Sequence, residues 1–275
     1  MQQYLVALDL DGTACNDESR VGARTKEAFR AARAGGHIIC FASGRRDIDM
    51  VSLGEDYRCA DYLLLNNGGK LVRTRDNAVL FNDCIEERAA RRLIAHCLEK
   101  DYILHVVSGM FWAVNRWTPG LQSYIDTLGM EPLMYRSIEE IPCEAIEGFM
   151  ATDEMDEVCR FIDAEKLPLL HVRSELTCTD IMGEGITKWN GLTRLAALLH
   201  IPRDRLIAAG DYNNDIEMIC GAGIGVAVHN ALPCVKQAAD YVTKSDNNHD
   251  AAAEIIEHFL WNGEVAVFTG NEGTQ

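Results

Sequence analysis

The chain has 275 residues, of which 48% are hydrophobic and 25% are charged, and this balance excludes collagen-like, low-complexity and largely disordered chains. Lys and Arg number 26 against 42 Asp and Glu, so the formal net charge is -16 at pH 7. A protein this acidic repels nucleic acid and anionic membranes, and we expect neither as a partner. A local cluster of N–H groups, cations or metal can still hold a small anion.

The first 82 residues alternate between strand and helix patterns. Apolar runs predict strands at 4–8, 37–42 and 62–65, and helical spacing predicts a helix at 24–33. Strands that are apolar on both faces and are separated by helices are typical of a parallel sheet covered on both sides. This part of the chain therefore predicts an α/β fold.

The middle of the chain, residues 83–186, has a different pattern. Two helical stretches, at about 84–100 and 153–166, are interleaved with the alternating segments ILHVVSG, MFWAVN and LTCTDIMG. Alternation of apolar and polar residues predicts an antiparallel sheet with one face covered by helices.

The first pattern returns near residue 188. It predicts strands at 206–209 and 224–228, and helices at 188–199, from about 213, at 232–239 and at 251–260. The sequence therefore predicts an α/β core domain with a parallel sheet, made of residues 1–82 and 187–275. An α+β cap domain of residues 83–186 would be inserted into it.

Two carboxylates follow the first predicted strand, in the string Asp9-Leu10-Asp11-Gly12-Thr13. Because side chains alternate along a strand, Asp9 and Asp11 are expected to point to one side. Two close carboxylates stay ionised only beside a cation or hydrogen-bond donors. Gly12 lets the backbone turn so that successive N–H groups face an anion. The alternative interpretation is an acidic strand-to-loop turn with a capping role.

Two short pieces supply candidate anion contacts. Ser43-Gly44-Arg45 follows the strand at 37–42, and we expect it at a helix N-terminus, where unpaired N–H groups favour an anion. Lys188 is expected in the first turn of its helix, where a cation opposes the helix dipole, and this favours another task such as neutralising a phosphate oxygen. A plain serine N-cap and a solvated lysine are the alternatives.

The fourth piece, Gly210-Asp211-Tyr212-Asn213-Asn214-Asp215, follows the strand at 206–209. Asp211 leaves the strand end and Asp215 returns on the first turn of the next helix, so both carboxylates are expected beside one cleft. Such oxygen ligands suit Mg²⁺, with water and substrate oxygens completing its coordination. Helix capping by Asp and Asn is the alternative. Four carboxylates at one sheet edge would repel one another without a cation, so the pieces support one another.

In this order, DxDGT, Ser-Gly-Arg after a strand, Lys and GDxxND, the sequence resembles the haloacid dehalogenase superfamily of phosphohydrolases, and most of all its Cof-type sugar phosphatases. The resemblance covers about residues 3–260. It implies a Rossmann-like core with a cap inserted between the second and third motifs. It also implies a Mg²⁺-dependent phosphatase of small phosphorylated metabolites that acts through an aspartyl-phosphate intermediate.

The resemblance further implies roles for individual residues. Asp9 would be the nucleophile and Asp11 the general acid/base. The phosphate would be held by Gly12, Ser43, Gly44, Lys188 and Asn214. The Mg²⁺ ion would be bound by Asp9, Asp11 through its backbone carbonyl, Asp211 and Asp215.

Substrate choice is expected to lie in the cap, since the core contacts mainly the phosphoryl group. The cap segment 105–120 contains Phe111, Trp112, Arg116 and Trp117, which would suit a sugar or a flat ring if they faced the cleft. Aromatic residues on alternating strands more often form the core of such a domain. The candidate substrate contacts are Arg45, Asn67 and Trp117.

Two other functions remain open at this point. A phosphomutase would return the phosphate to another hydroxyl and release little free phosphate. A non-catalytic module would only bind a phosphorylated metabolite, and it is expected to lack the nucleophile or the acid, yet Asp9 and Asp11 are both present. A receiver domain also clusters aspartates with a Ser or Thr and a Lys, but it needs no inserted domain.

The last expectations concern location and assembly. The N-terminal apolar run is interrupted by Asp9 and Asp11, no basic leader precedes it, and no run of about 18 apolar residues occurs. The 10 cysteines form no CxxC pair, and a chain of this length needs no disulfide framework. We therefore expect a cytoplasmic monomer or homodimer whose partner is a small phosphorylated metabolite.

Overall fold

The protein is described by a computed structural model, which covers residues 2–175 and 177–261, with the backbone alone for residues 174 and 175. Leu176 of the alternating segment LTCTDIMG, Met1 and residues 262–275 of the predicted core domain lie outside the described residues. The strands are β1 Leu5–Leu8, β2 Ile38–Ala42, β3 Tyr62–Leu65, β4 Lys70–Arg73, β5 Ala78–Asn82, β6 Leu104–Ser108, β7 Phe111–Val114, β8 Leu133–Met134, β9 Gly148–Ala151, β10 Leu169–Glu175, β11 Cys178–Gly183, β12 Leu206–Gly210, β13 Ile224–Ala227 and β14 Tyr241–Val242. The α-helices are α1 Ala23–Ala34, α2 Glu87–Lys100, α3 Pro119–Leu128, α4 Met155–Glu165, α5 Lys188–Leu198, α6 Ile216–Gly221, α7 Pro233–Ala238 and α8 Ala251–Ile256.

The larger sheet has the strand order β14-β13-β12-β1-β2-β3-β4-β5. Neighbouring strands are parallel from β14 to β3, and β4 and β5 extend the β3 edge as antiparallel strands. Every residue of β1 and of β12 is buried, as expected for central strands covered on both faces. The carboxyl ends of β1, β2, β3 and β12 therefore meet at one edge of the sheet, where open α/β sheets bind ligands.

Helices cover both faces of this sheet. On one face α1 buries Thr25, Ala28, Phe29 and Ala32, a spacing of three and four residues, and it packs beside α8. On the other face α5 and α6 contribute to a second apolar cluster with Leu5, Ala7 and Ala208. The predicted α/β fold with a parallel sheet is confirmed.

The smaller sheet lies between β5 and α5 in the chain and has the order β10-β11-β9-β6-β7-β8. Its strands are antiparallel except for the short pair β7 and β8. The helices α2 and α4 cover one face and share an apolar cluster with β6 and β9. This separate sheet and cluster support the predicted division into a core and an inserted cap, which stays a prediction; below, "cap" denotes residues 83–186 and "core" the rest of the chain.

Several elements were not predicted from the sequence. They include β4, β5 and β14 at the two edges of the core sheet, β8, β9 and β10, the 3₁₀ helix Asp49–Cys59, and α3. The helix α3 and Ile48 of the core pack against Trp112 and Val114 on the second face of the smaller sheet, so that face is partly covered as well. Among the residues that the structure describes, none of the helices is both long and apolar enough to span a membrane.

Candidate active site

The end of β1 sets the position of the first motif. Asp9 is 6% exposed, and its backbone N–H donates to the Ala209 carbonyl on β12 at 2.9 Å. Gly12 has a φ of +76°, and a Cβ at this position would lie 2.5 Å from Oδ2 of Asp211. Both features require glycine here, since the turn uses a left-handed conformation and the Asp211 carboxylate packs directly against the backbone.

Lys188 lies between two carboxylates. It is the first residue of α5, directly after the capping Thr187, and only 2% of it is exposed. Its Nζ donates to Oδ1 of Asp9 at 2.6 Å and to Oδ1 of Asp215 at 2.7 Å. Burial by itself lowers the pKa of Lys188, but the charges of Asp215 and Asp9 outweigh burial and raise it, so the ammonium stays charged. The alternative of a solvated lysine is therefore wrong.

Asp9, Asp211 and Asp215 form a compact group. Each offers one carboxylate oxygen, and these three oxygens lie within 4.8 Å of one another. The other oxygen of Asp215 accepts hydrogen bonds from the backbone N–H groups of Asp211 and Tyr212, both at 3.0 Å, which fixes its direction. Oxygen donors at this spacing fit a small divalent cation such as Mg²⁺.

The protein alone leaves this group short of positive charge. Burial, followed by the charge of Asp215, raises the pKa of Asp211 to about 6. Burial also raises the pKa of Asp9, although Lys188 counteracts it. One lysine therefore does not balance three close carboxylates, of which Asp9 and Asp215 are buried and Asp211 is half-buried, and a divalent cation held by them would supply the missing charge.

Asp11 lies on the same cleft but has a different partner. Its side chain is 55% exposed and accepts two hydrogen bonds from Arg45, from Nε at 2.8 Å and from Nη2 at 2.6 Å. The two carboxylates of the first motif thus face one cleft, as predicted, but only Asp9 joins the group with Lys188. Arg45, expected as a substrate contact, lines the cleft and is the residue that orients Asp11.

The prediction that Ser43-Gly44-Arg45 begins a helix is wrong. The next helix along the chain is the 3₁₀ helix Asp49–Cys59, whose capping residue is Ile48, so Ser43 does not lie at its N-terminus. Ser43 is buried where β2 ends, and its Oγ accepts a hydrogen bond from the Arg45 N–H at 3.1 Å. Ser43 and Gly44 nevertheless line the cleft together with Asp9, because adjacent parallel strands end at the same edge.

Two asparagines link the ends of β3 and β12. Nδ2 of Asn214 donates to Oδ1 of Asn67 at 2.9 Å, and Asn67 is buried with a φ of +52°. Nδ2 of Asn67 donates in turn to Oδ2 of Asp180 on the cap strand β11, at 3.4 Å. Asn214 lines the cleft, whereas Asn67 braces it from behind and connects core to cap.

Trp117 is not brought into the cleft. It is 54% exposed and is absent from the cleft lining, although the next residues, Thr118 and Pro119, belong to that lining. Trp112 is buried in the cap core, as the alternative interpretation held, and Arg116 pairs with Asp101 and Glu154. Trp112 and Arg116 therefore stabilise the cap, whereas Trp117 lies at its surface.

The cleft between the two sheets has a volume of about 1140 Å³ and draws on both. The lining of the cleft contains residues, from both core and cap, that sequence patterns did not indicate. They include Arg46, Asp49, His105, Tyr124, Asp153 and Asp180. Arg46 directly follows the Ser43-Gly44-Arg45 motif, and this adjacency could have indicated that it lines the cleft. The other residues of this list reach the cleft only through folding.

Comparisons with known proteins agree with this geometry. The family model of haloacid dehalogenase-like hydrolases matches residues 6–256. The chain is 32% identical over 270 residues to YxeH from Bacillus subtilis (strain 168), a protein provisionally named a phosphatase. The alignment covers 93% of this chain and 98% of YxeH. It is 24% identical to the 5-amino-6-(5-phospho-D-ribitylamino)uracil phosphatase YitU of the same organism, and the alignment covers 94% of this chain and 97% of YitU. The solved structure of the subclass IIB sugar phosphatase BT4131 superposes with a TM-score of 0.81 at 25% identity, covering 94% of this chain and 99% of that one.

Proposed function

This chain belongs to the haloacid dehalogenase-like hydrolases, and from that premise we propose that it is a Mg²⁺-dependent phosphatase of small phosphorylated metabolites, above all sugar phosphates. It is a phosphoric monoester hydrolase, as its curated relatives are. The observation that carries the proposal is the buried group in which Lys188 contacts both Asp9 and Asp215 beside Asp211, at the floor of a cleft large enough for a metabolite.

We assign the first step to Asp9. One oxygen of its carboxylate attacks the phosphorus, a P–O bond to Asp9 forms, and the P–O bond to the leaving alcohol breaks. Lys188 Nζ lies 2.6 Å from Oδ1 of Asp9, where it holds the carboxylate and offsets repulsion between two anions. Ser43, Gly44 and Asn214 line the same cleft and would hold the phosphoryl oxygens.

We assign both proton transfers to Asp11, which acts first as the general acid and then as the general base. It gives a proton to the departing alkoxide, which is otherwise a poor leaving group, and the alcohol leaves. It then takes a proton from the water that attacks the aspartyl-phosphate, which releases inorganic phosphate and restores the Asp9 carboxylate. For the first transfer Asp11 must carry a proton, which its exposed side chain can take from solvent once it is released from Arg45.

Asp9, Asp211, Asp215 and the backbone carbonyl of Asp11 would hold the metal, which would supply positive charge to the phosphoryl oxygens when bound. The choice of Mg²⁺ rests on the all-oxygen set of donors, which suits hard cations. We further propose a cytoplasmic monomer or homodimer with no nucleic-acid or membrane partner, consistent with the net charge of -16 and 10 cysteines without disulfides.

The test is phosphate release from p-nitrophenyl phosphate with Mg²⁺, with EDTA in its place, and by Asp9→Asn. We expect Mg²⁺-dependent release that EDTA abolishes and that Asp9→Asn lowers to background while the variant stays folded. A matched control is Asp76→Asn, since Asp76 is exposed and pairs with Arg73 outside the cleft. Turnover by Asp9→Asn at a rate close to the wild-type rate would sink the nucleophile assignment. With a hexose phosphate as a second substrate, isomerised sugar phosphate with little free phosphate would instead indicate a phosphomutase.

A further inference from the structure

The cap side of the cleft contains a histidine whose role is not accounted for by phosphoryl transfer. His105, on β6, is 4% exposed and lines the cleft. Its Nδ1 accepts a hydrogen bond from Nε1 of Trp112 at 3.1 Å. In the part of the chain that the structure describes, Trp112 is the only residue that makes a hydrogen bond to this imidazole. The remaining nitrogen, Nε2, is the polar atom that His105 can offer to the cleft.

The tautomer of His105 is fixed by chemistry. An indole N–H can only donate, so Nδ1 must carry a lone pair and the proton of the neutral ring must be on Nε2. Burial, and then the nearby charge of Arg46, lower the pKa of His105 to about 3, so the ring is neutral at physiological pH. His105 therefore presents one uncharged N–H donor to the cleft, and that donor needs an acceptor oxygen.

The surroundings indicate which kind of oxygen this is. Arg46, the nearby cation, already donates from Nε to Asp49 at 2.8 Å and from Nη2 to the Tyr124 hydroxyl at 2.9 Å. The Tyr124 hydroxyl also donates to Asp49, so the positive charge is locally balanced. Asp153 and Asp180 line the same cleft. Among the described residues that line the cleft, Arg45 already pairs with Asp11 and Arg46 with Asp49, so a second anionic group on the substrate would meet these carboxylates without an unpaired arginine.

Neutral hydroxyl groups would be accepted there. The cleft lining on the cap side includes the hydroxyl residues Thr118, Ser123, Thr127 and Thr152. Hydroxyls and carboxylates together can both donate to and accept from the hydroxyl groups of a polyol. Met150, which faces His105 across β6 and β9 and contacts Arg46, adds an apolar surface for C–H groups.

We propose that His105 determines specificity by donating its Nε2–H to a hydroxyl oxygen of a neutral, polyhydroxylated leaving group. The preferred substrates are then monophosphates of sugars or sugar alcohols, and bisphosphates and phosphorylated acids are used poorly. This inference deepens the proposed function and rests on it. His105 acts on substrate choice and takes no part in the transfer of the phosphoryl group.

The experiment compares kcat/KM for sorbitol 6-phosphate, fructose 1,6-bisphosphate and p-nitrophenyl phosphate in the wild type, His105→Phe and His105→Gln. Phe keeps a flat ring but has no donor, and we expect it to lower kcat/KM for sorbitol 6-phosphate by about 3- to 10-fold. The kcat/KM of His105→Phe for p-nitrophenyl phosphate, whose leaving group carries no further hydroxyl, is expected to stay within about twofold of the wild-type value. His105→Gln retains an N–H donor, so we expect its kcat/KM for sorbitol 6-phosphate to fall less than that of His105→Phe.

A second variant tests the tautomer if His105→Phe fails to fold. Trp112→Phe keeps His105 but removes the donor that fixes its tautomer, and we expect it to lower kcat/KM selectively for sorbitol 6-phosphate. The wild type should use the bisphosphate at least about 10-fold less well than the monophosphate, and Asp180→Asn should narrow that gap. Equal losses on all three substrates, or no loss, would overturn the inference. Absence of p-nitrophenyl phosphate hydrolysis by the wild type would instead contradict the proposed function.

Discussion

Replacing Lys188 by Met tests the charge balance of the buried group most directly. Lys188 is 2% exposed, and its Nζ makes two charge-assisted hydrogen bonds, to Asp9 and to Asp215. Met has a similar length and no charge, so Asp9, Asp211 and Asp215 lose their buried cation without a large change in packing volume. Breaking a buried ion pair from one side costs about 3–5 kcal/mol, and we expect this loss in the free energy of unfolding without metal.

The measurement is equilibrium unfolding in urea, once with EDTA and once with saturating Mg²⁺. A cation that binds only the folded state adds RT ln(1 + [L]/Kd), which is about 2.7 kcal/mol at 100 times Kd. We expect Mg²⁺ to recover part of the stability lost by Lys188→Met, since the ion supplies charge to the same carboxylates. Activity should still fall by about 10²- to 10³-fold, because Lys188 also holds Asp9 for attack.

Lys70→Met is the matched control for this experiment. Lys70 is also buried and pairs with two carboxylates, Asp47 at 2.8 Å and Glu147 at 3.1 Å, but it lies at the boundary between core and cap. We expect Lys70→Met to lose a comparable amount of stability in EDTA. Mg²⁺ should stabilise this variant by no more than it stabilises the wild type. If Lys188→Met cost less than about 1 kcal/mol in EDTA, or if Mg²⁺ rescued both variants equally, the described charge balance would be refuted.

Two further predictions concern Asp11 and His105. Asp11→Asn removes the proton donor, and we expect kcat for sorbitol 6-phosphate to fall by about 10²- to 10⁴-fold. The fall should be smaller for p-nitrophenyl phosphate, whose phenolate leaves without a proton, and steady-state kinetics on both esters would show a uniform loss if Asp11 had another role. For His105, the pKa is about 3 in the folded protein and about 6.5 in the unfolded chain, so the unfolded chain binds the extra proton between these values. Its contribution to stability is therefore present above about pH 6.5 and is lost as the pH falls towards 3, by up to about 1.4 kcal/mol per pH unit. Urea unfolding from pH 7 to pH 4 should show a shallower decline for His105→Gln, and parallel curves for the two proteins would contradict the buried neutral ring.

The sequence by itself was enough to predict that Asp9, Lys188 and Asp211 come together. Apolar strands followed by Asp9 and by Asp211, and a helix that begins at Lys188, bring these residues to one place because parallel strands of an open sheet end at one edge. That rule needs only the local pattern of each strand and the order of the strands. Most of the α-helices were predicted too, since a period of 3.6 residues can be recognised within one segment, whereas α3 and the 3₁₀ helix Asp49–Cys59 were not.

The tertiary structure alone decided how the cap faces this centre. Trp117 looked suited to a sugar but is exposed and does not line the cleft, whereas His105, on a buried strand, lines it. The partner of Asp11, the surroundings of Ser43 and the network of Arg46 with Asp49 and Tyr124 were equally hidden. The contacts of Asp11 with Arg45 and of Tyr124 with Arg46 and Asp49 join segments far apart in the chain, and the angle at which two sheets meet depends on packing that no local periodicity records.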